Sequence, residues 1–230
     1  MRPITASPSR EGTMGGGATP AARESAVALP ARQEYRLAFD LAGARLAACR
    51  GADAALLVVA SAPMLLVEAL LRASSGVHVV PDAPAVLARE TTDVYEGVLW
   101  ASPAPSTWRS RLGEIEAALG EGGVLMLLVG GGLTSILAPL RVGRSVGEPG
   151  WRAGALRRAL PRRGYRLDGR LGIGGPATVA YAALSRLALL RGRIDLADRW
   201  EAGYRSTLSG PRPARLALVE LLLYGKRDGQ

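Results

Sequence analysis

A doubly wound α/β domain is the fold this sequence predicts, and three observations predict it. Short apolar runs such as Leu56–Ala60 and Val124–Val129 carry no charge and no alternation, the pattern of strands buried on both faces. Segments with helical spacing lie between them. Thr107–Leu119 is the clearest, with Leu112, Ile115, Ala118 and Leu119 on one face. Glycine and proline mark most of the joints between runs. Strands alternating with helices give a mostly parallel sheet covered on both sides, with right-handed crossovers.

The elements follow in order. Residues 1–32 hold Pro3, Pro8, Pro20, Pro30 and Gly15-Gly16-Gly17 without an apolar period, and are expected to be a disordered tail. The ordered domain is expected over 33–230. Tyr35, Leu37, Phe39, Leu41 and Leu46 suit a leading helix that ends near Arg50-Gly51. Ala54–Ala60 reads as the first strand. Pro63–Arg72 reads as a helix with proline in its first turn. Gly76–Val80 is the next strand, Ala83–Glu90 a short helix, and Val94–Ala101 a further strand, third or fourth. Helix Thr107–Leu119 is expected to close on Gly120, Gly122 and Gly123, and strand Val124–Val129 follows. Residues 130–150, rich in glycine, should form a flexible loop over the sheet's carboxyl edge. Trp151–Arg163 reads as a helix and Gly164-Tyr165-Arg166-Leu167 as the start of a strand. Pro176–Leu190 and Ile194–Arg205 read as two helices, and Arg215–Lys226 as the terminal strand.

Composition removes several function classes. The single cysteine, Cys49, rules out an internal disulfide and a cysteine metal cluster. The single histidine, His78, leaves little for a histidine metal site or a Ser-His-Asp triad, and its apolar strand context reads as a core position. No charge-free apolar run reaches about 18 residues, so no membrane-spanning helix is expected. The N-terminus has no signal-peptide order, and a cytoplasmic location is the expectation. Net charge is +9, carried almost wholly by arginine, with Lys226 the sole lysine. Such a surface attracts nucleic acid or anionic membrane weakly, chiefly through the arginines of 141–170.

Three stretches carry a family resemblance. LGEIEAALGEGGVLMLLV, Leu112–Val129, is similar to the helix, glycine pair and fifth strand of class I S-adenosylmethionine-dependent methyltransferases, particularly the small bacterial ubiquinone-biosynthesis-like type. WRAGALRRALPRRGYRLDG, Trp151–Gly169, resembles that family's segment into strand six. VHVVPDAPAVLAR, Val77–Arg89, resembles its second strand and helix. The resemblance implies a seven-stranded Rossmann-like sheet of order 3-2-1-4-5-7-6, its last strand antiparallel. It also implies a helical lid or insertion over 176–205.

The same resemblance implies where a cofactor would sit, and the expected residues are missing there. The family ends its first strand in an acidic residue and a loop of alternating glycines. Here Val58 occupies the acidic position, and Ala60, Ala62 and Met64 occupy the glycines, around Ser61 and Pro63. Side chains narrow the space that glycine leaves open, and loss of the carboxylate removes an acceptor for the cofactor's amine. Where the family holds the ribose with an acid after strand two, this chain has Pro81, with Asp82 one residue later. Asp82 suits either the ribose role or a surface cap of helix Ala83–Glu90. Glu90 or Asp93 would answer to the adenine contact. Trp100 either covers the cofactor or packs in the core, and Trp108 is expected to pack its helix on the sheet. Gly130-Gly131-Gly132 lacks the Lys-Ser/Thr of a phosphate loop.

Three functions remain open on the sequence. The first is a methyltransferase-like protein with a degenerate S-adenosylmethionine site, acting as a partner or scaffold, in a homodimer or with another protein. The second is an active methyltransferase on a small or lipid-like acceptor, for which positioning would supply much of the rate without a metal or a dedicated base. The third is a basic nucleic-acid-binding protein on the same fold. Helices 176–205 suit a lid, a dimer face or a membrane contact.

Overall fold

The computed structural model describes residues 36–60, 76–83, 94–103, 106–133, 154–208 and 216–226. The tail 1–32, helix Pro63–Arg72, nearly all of helix Ala83–Glu90 and the loop beyond Leu133 lie outside them.

The described residues form a six-stranded sheet. Helix α1 spans residues 36–50. Strands β1 (Leu56–Ala60), β2 (Val77–Pro81) and β3 (Tyr95–Ala101) follow, then helix α2 (Trp108–Ala118) and β4 (Leu119–Gly130). Helix α3 (Gly154–Ala159) continues as a 3₁₀ turn, Leu160–Arg163, into β5 (Tyr165–Ile173). Helices α4 (Pro176–Leu190) and α5 (Ile194–Leu208) precede β6 (Val219–Lys226). The strand order is β2-β1-β3-β4-β6-β5. β1 to β4 run parallel, and β6 lies antiparallel between β4 and β5. This is the implied order with one edge strand lacking a counterpart among the described residues. β3 pairs directly with β1, so Val94–Ala101 is the fourth strand of that order.

Side-chain alternation divides the core between the two faces. Leu56, Val58, Leu99, Met126, Leu128 and Leu221 face α1 and the end of α5, where Ala42, Leu46, Tyr204 and Leu208 cover them. Leu57, Val59, Trp100, Leu125, Leu127 and Leu222 face the other way, onto α2 and α3. Trp108 lies in that second layer and packs α2 on the sheet, as expected.

Several joints differ from the sequence reading, each for a physical reason. Glycine does not close α2. Leu119 is already extended at its C-cap and pairs with Tyr95. The register then jumps to Gly97↔Val124, so residues 120–123 bulge out, and Gly122 supplies a φ of +65°. Pro161 cannot continue the α-helical ladder, so the last turn before β5 is 3₁₀. β5 runs past Leu167 to Ile173 across a bulge between Leu167 and Gly169. The final strand starts at Val219, not Arg215. The residues just before it are held irregularly, with Leu218 N–H donating to Ile173 O at 3.0 Å.

Gly131 is a packing position and not part of a free loop. Its N–H donates to Leu218 O at 2.8 Å, and Leu133 N–H donates to Ala217 O at 3.0 Å. A Cβ on Gly131 would collide with the Ala217 carbonyl, which is backbone and has nowhere to move. His78 also departs from expectation. It is exposed on β2, the edge strand among the described residues, and its Nδ1 lies 2.9 Å from the Tyr95 hydroxyl. Among the described residues, no helix is long and apolar enough to cross a membrane.

Two substitutions test this packing. Gly131→Ala should lower stability by ~3 kcal/mol, read as a shift of the urea midpoint without a change of slope. Tyr165 is 2% exposed, and its buried hydroxyl has no hydrogen-bond partner. Burial first, then the Glu116 carboxylate, pushes its pKa up to about 12, against a smaller opposing pull from Arg163. The unfolded chain releases this proton near pH 10.0 and the folded chain near 12, so stability falls as pH rises through that window. Tyr165→Phe should be neutral or slightly stabilising at pH 7. It should also abolish about 2 kcal/mol of the alkaline loss, measured as the variant-minus-wild-type difference across urea titrations.

Candidate functional site

Parallel sheets of this kind bind ligands beyond the carboxyl ends of their strands. Here Ala60, Pro81 and Ala101 end β1, β2 and β3 in one register row. The chain stays paired one residue further on: Asp82 N–H donates to Ala60 O at 2.9 Å and Ser102 N–H to Leu128 O at 2.8 Å. Of the predicted residues, Ala60, Asp82 and Trp100 are therefore brought to one edge, while Ser61, Ala62 and Met64 lie outside the described residues, as do Glu90 and Asp93. Val58 and Ala60 are both buried on the α1 face.

Asp82 and Trp100 belong to the opposite face. Alternation puts Asp82 on the side of Val80, and Trp100 on the side of Val98. The Trp100 indole N–H donates to Asp82 Oδ2 at 3.1 Å. Arg111 Nε lies 3.2 Å from Asp82 Oδ1, with side-chain exposures of 5% and 2%. Arg111 also donates to both Glu114 oxygens, at 2.9 and 2.8 Å, and Glu114 is 29% exposed. A line of charge thus runs from the sheet edge through α2 towards solvent. The expectation of a surface Asp82 is corrected: its carboxylate is turned into the core. Trp100 is wholly buried and packs in the layer against α2 and α3.

Arg111 escapes the sequence reading, although its signal is present there. Trp108, Arg111, Leu112, Ile115 and Ala118 occupy the buried face of α2, so an arginine stands where the helical period requires an apolar residue. A buried guanidinium needs a buried acid, and Asp82 is that acid. Glu220 escapes in the same way. It interrupts the apolar run LALVELLLYG, is 3% exposed, and is opposite Val129 at the carboxyl end of β4. Arg157 and Arg170 reach one of its oxygens at 2.7 and 2.9 Å. Tyr224 shares this group, and burial pushes its pKa up against the pull of the two arginines.

The described strand ends therefore present little chemistry to solvent. Asp82 is the one ionisable side chain on the described ends of β1 to β4. No group of three His, Cys, Asp or Glu side chains fit to hold a metal occurs among the described residues. Ser102 is the exception to a quiet edge. Its φ of 56° makes it the one non-glycine residue with positive φ among those described. Such strain persists only where the surroundings enforce it. In the basic segment, Arg157, Arg163, Arg166 and Arg170 are all in ion pairs with Glu220, Glu116 or Asp168. The arginines of 141–153 lie outside the described residues.

Removing the Arg111 guanidinium would take a close cation from the buried Asp82 carboxylate. Arg111→Met should cost about 3–5 kcal/mol, and adding Asp82→Leu should recover most of it. A double-mutant cycle in urea reads the coupling, and additive losses would show that the two charges are independent.

No family model matches the sequence, and no curated protein matches it. Several solved structures are similar in outline. One is a SAM-dependent methyltransferase from Archaeoglobus fulgidus, 12% identical, with 81% of this chain and 94% of that one covered at a TM-score of 0.45. Another is the plantazolicin methyltransferase BpumL in complex with SAH, 9% identical, with 91% and 92% covered at 0.43. A third is a SAM-dependent methyltransferase from Geobacter sulfurreducens in complex with S-adenosyl-L-homocysteine, 12% identical, with 76% and 85% covered at 0.38.

Proposed function

We propose that this chain is a methyltransferase-fold protein whose S-adenosylmethionine site is degenerate, and that it acts as a partner or scaffold and not as an efficient enzyme. The motif resemblance and the strand order support the fold half of this reading. The observation that carries the other half is the enclosure of Asp82 between Trp100 and Arg111. The residues present do not fit the cofactor. A ribose needs a carboxylate facing the cleft, and this one faces the core at 2% side-chain exposure. The cofactor's amine needs an acid at the end of β1, and Val58 there is a buried core residue. Freeing Asp82 would break its buried pair with Arg111 and leave Arg111 with Glu114 alone, a penalty that a ligand would have to offset.

A second reading, an active methyltransferase on a small or lipid-like acceptor, draws support from one feature. Ser102 holds positive φ at the strand end where the fold places its ligands, and backbone strain concentrates at functional sites.

A thermal-shift titration separates the two. The degenerate-site reading expects no change in melting temperature with S-adenosylmethionine or S-adenosylhomocysteine at millimolar concentration. A micromolar binder at ~100-fold excess over Kd would gain about 2.7 kcal/mol, several degrees for a chain of this size. A saturable shift of that order would overturn the proposal.

A further inference from the structure

Helix α4 packs on the core through Tyr181 and Ala182, yet much of its apolar surface faces outward. Its buried residues are Thr178, Ser185 and Ala188. Both hydroxyls are satisfied inside: Thr178 Oγ1 accepts from Gly175 N–H at 2.8 Å, and Ser185 donates to Ala197 O at 3.2 Å. The outward face carries Ala177, Ala180, Ala183, Leu184, Leu187 and Leu190. Leu190 is 69% exposed, and Ile194, just past the turn into α5, is 66% exposed. Its neighbour α5 has the ordinary polarity, with Ala197, Tyr204 and Leu208 buried and Asp198, Arg199 and Arg205 outside. The same fold therefore builds one helix for water and one for an apolar medium.

Charge around this face selects the medium. Arg186 is the sole charged residue of α4, and Arg191 and Arg193 follow it at the turn; all three are exposed. Asp195, which follows Ile194 at the start of α5, lies 3.7 Å from Arg193, so Arg186 and Arg191 carry the basic rim. An apolar stripe with a basic rim and no acid of its own complements an anionic lipid surface, where leucines enter the acyl boundary and arginines meet headgroup phosphates. A second copy of the chain is the poorer match. It would bring the same arginines together, and one helix face falls short of the ~800 Å² per partner of a stable association.

We propose that the outer face of α4, with Ile194, docks this protein onto anionic lipid bilayers. The inference rests on this surface alone and stands whether or not the sheet edge binds a cofactor. Flotation of the full chain with phosphatidylglycerol–phosphatidylcholine vesicles, against phosphatidylcholine alone, tests it. At low salt the protein should float with the anionic vesicles. Leu187→Gln with Leu190→Gln, at residues 43% and 69% exposed, should reduce retention at least about tenfold, and the urea midpoint of the same variant shows that it is still folded. Arg186→Gln with Arg191→Gln should weaken retention on anionic vesicles and flatten its salt dependence. As an independent readout, the indole added by Leu190→Trp should shift its emission to the blue on anionic vesicles. No flotation at low salt, flotation indifferent to the leucine pair, or an unshifted emission from the Leu190→Trp variant would each overturn the proposal. So would a leucine-dependent dimer in sedimentation equilibrium without vesicle retention, which would give the face to a second copy.

Discussion

The constraint on which this structure depends is the two-sided burial of its central strands. β1 is buried at every residue, and Val98 to Ala101 of β3 and Leu125 to Val129 of β4 are likewise buried. A strand in that position has no solvated face, so each alternate side chain must meet a helix layer. That requirement puts α1 and α5 on one side and α2 and α3 on the other. β6 is inserted antiparallel between β4 and β5, and Leu221, Leu222 and Leu223 extend the same buried layers. With both faces closed, the strand ends are where the sheet can meet a ligand.

Charge placed inside such a layered core is constrained as tightly as volume. Asp82 and Glu220 each face arginines that extend from the covering helices or the adjoining strand. A buried pair of this kind adds little net stability, because desolvation consumes most of the Coulomb gain, but it penalises any arrangement that separates the partners. It therefore works as a lock on geometry. The Trp100–Asp82–Arg111 group fixes the end of β2, the end of β3 and the first turns of α2 relative to one another. On the reading proposed above, the acid that a cofactor would require has become part of that lock.

What is legible in the sequence follows from how local each signal is. Helix α4 begins at Pro176 and ends before Arg191-Gly192-Arg193, and both limits are chain-local chemistry, so the helix spans Pro176–Leu190 as its sequence predicts. The apolar runs locate β1 to β4 and β6 for the same reason, whereas β5, which carries Arg166, Asp168 and Arg170, shows only its start. The close of α2 is ambiguous in sequence because glycines after a helix also suit a bulge, and the choice depends on Tyr95 in another strand. At the site, the proximity of Ala60, Asp82 and Trp100 is legible from the strand pattern. The inward turn of Asp82 is not, because its partner Arg111 comes from a different element. His78 is exposed where its apolar run suggests a core position, because what covers a strand depends on other elements and not on the run itself.

The two unusual surfaces invert each other's chemistry. At the sheet edge a carboxylate that would serve solvent or ligand is buried with a cation. Along α4, leucines that would serve the core are exposed, and hydroxyls take their place inside. The buried hydroxyls all have partners, so the inward face of α4 is a complete solution to packing and not a defect of it. Tyr181 and Ala182 also seat this helix on the core, while Leu184, Leu187 and Leu190 stay 39%, 43% and 69% exposed. The docking proposed above gives their exposure a cause, since fully burying a leucine releases about 1.5–3 kcal/mol. An apolar phase rimmed by anions supplies that cause with the arginines already in place.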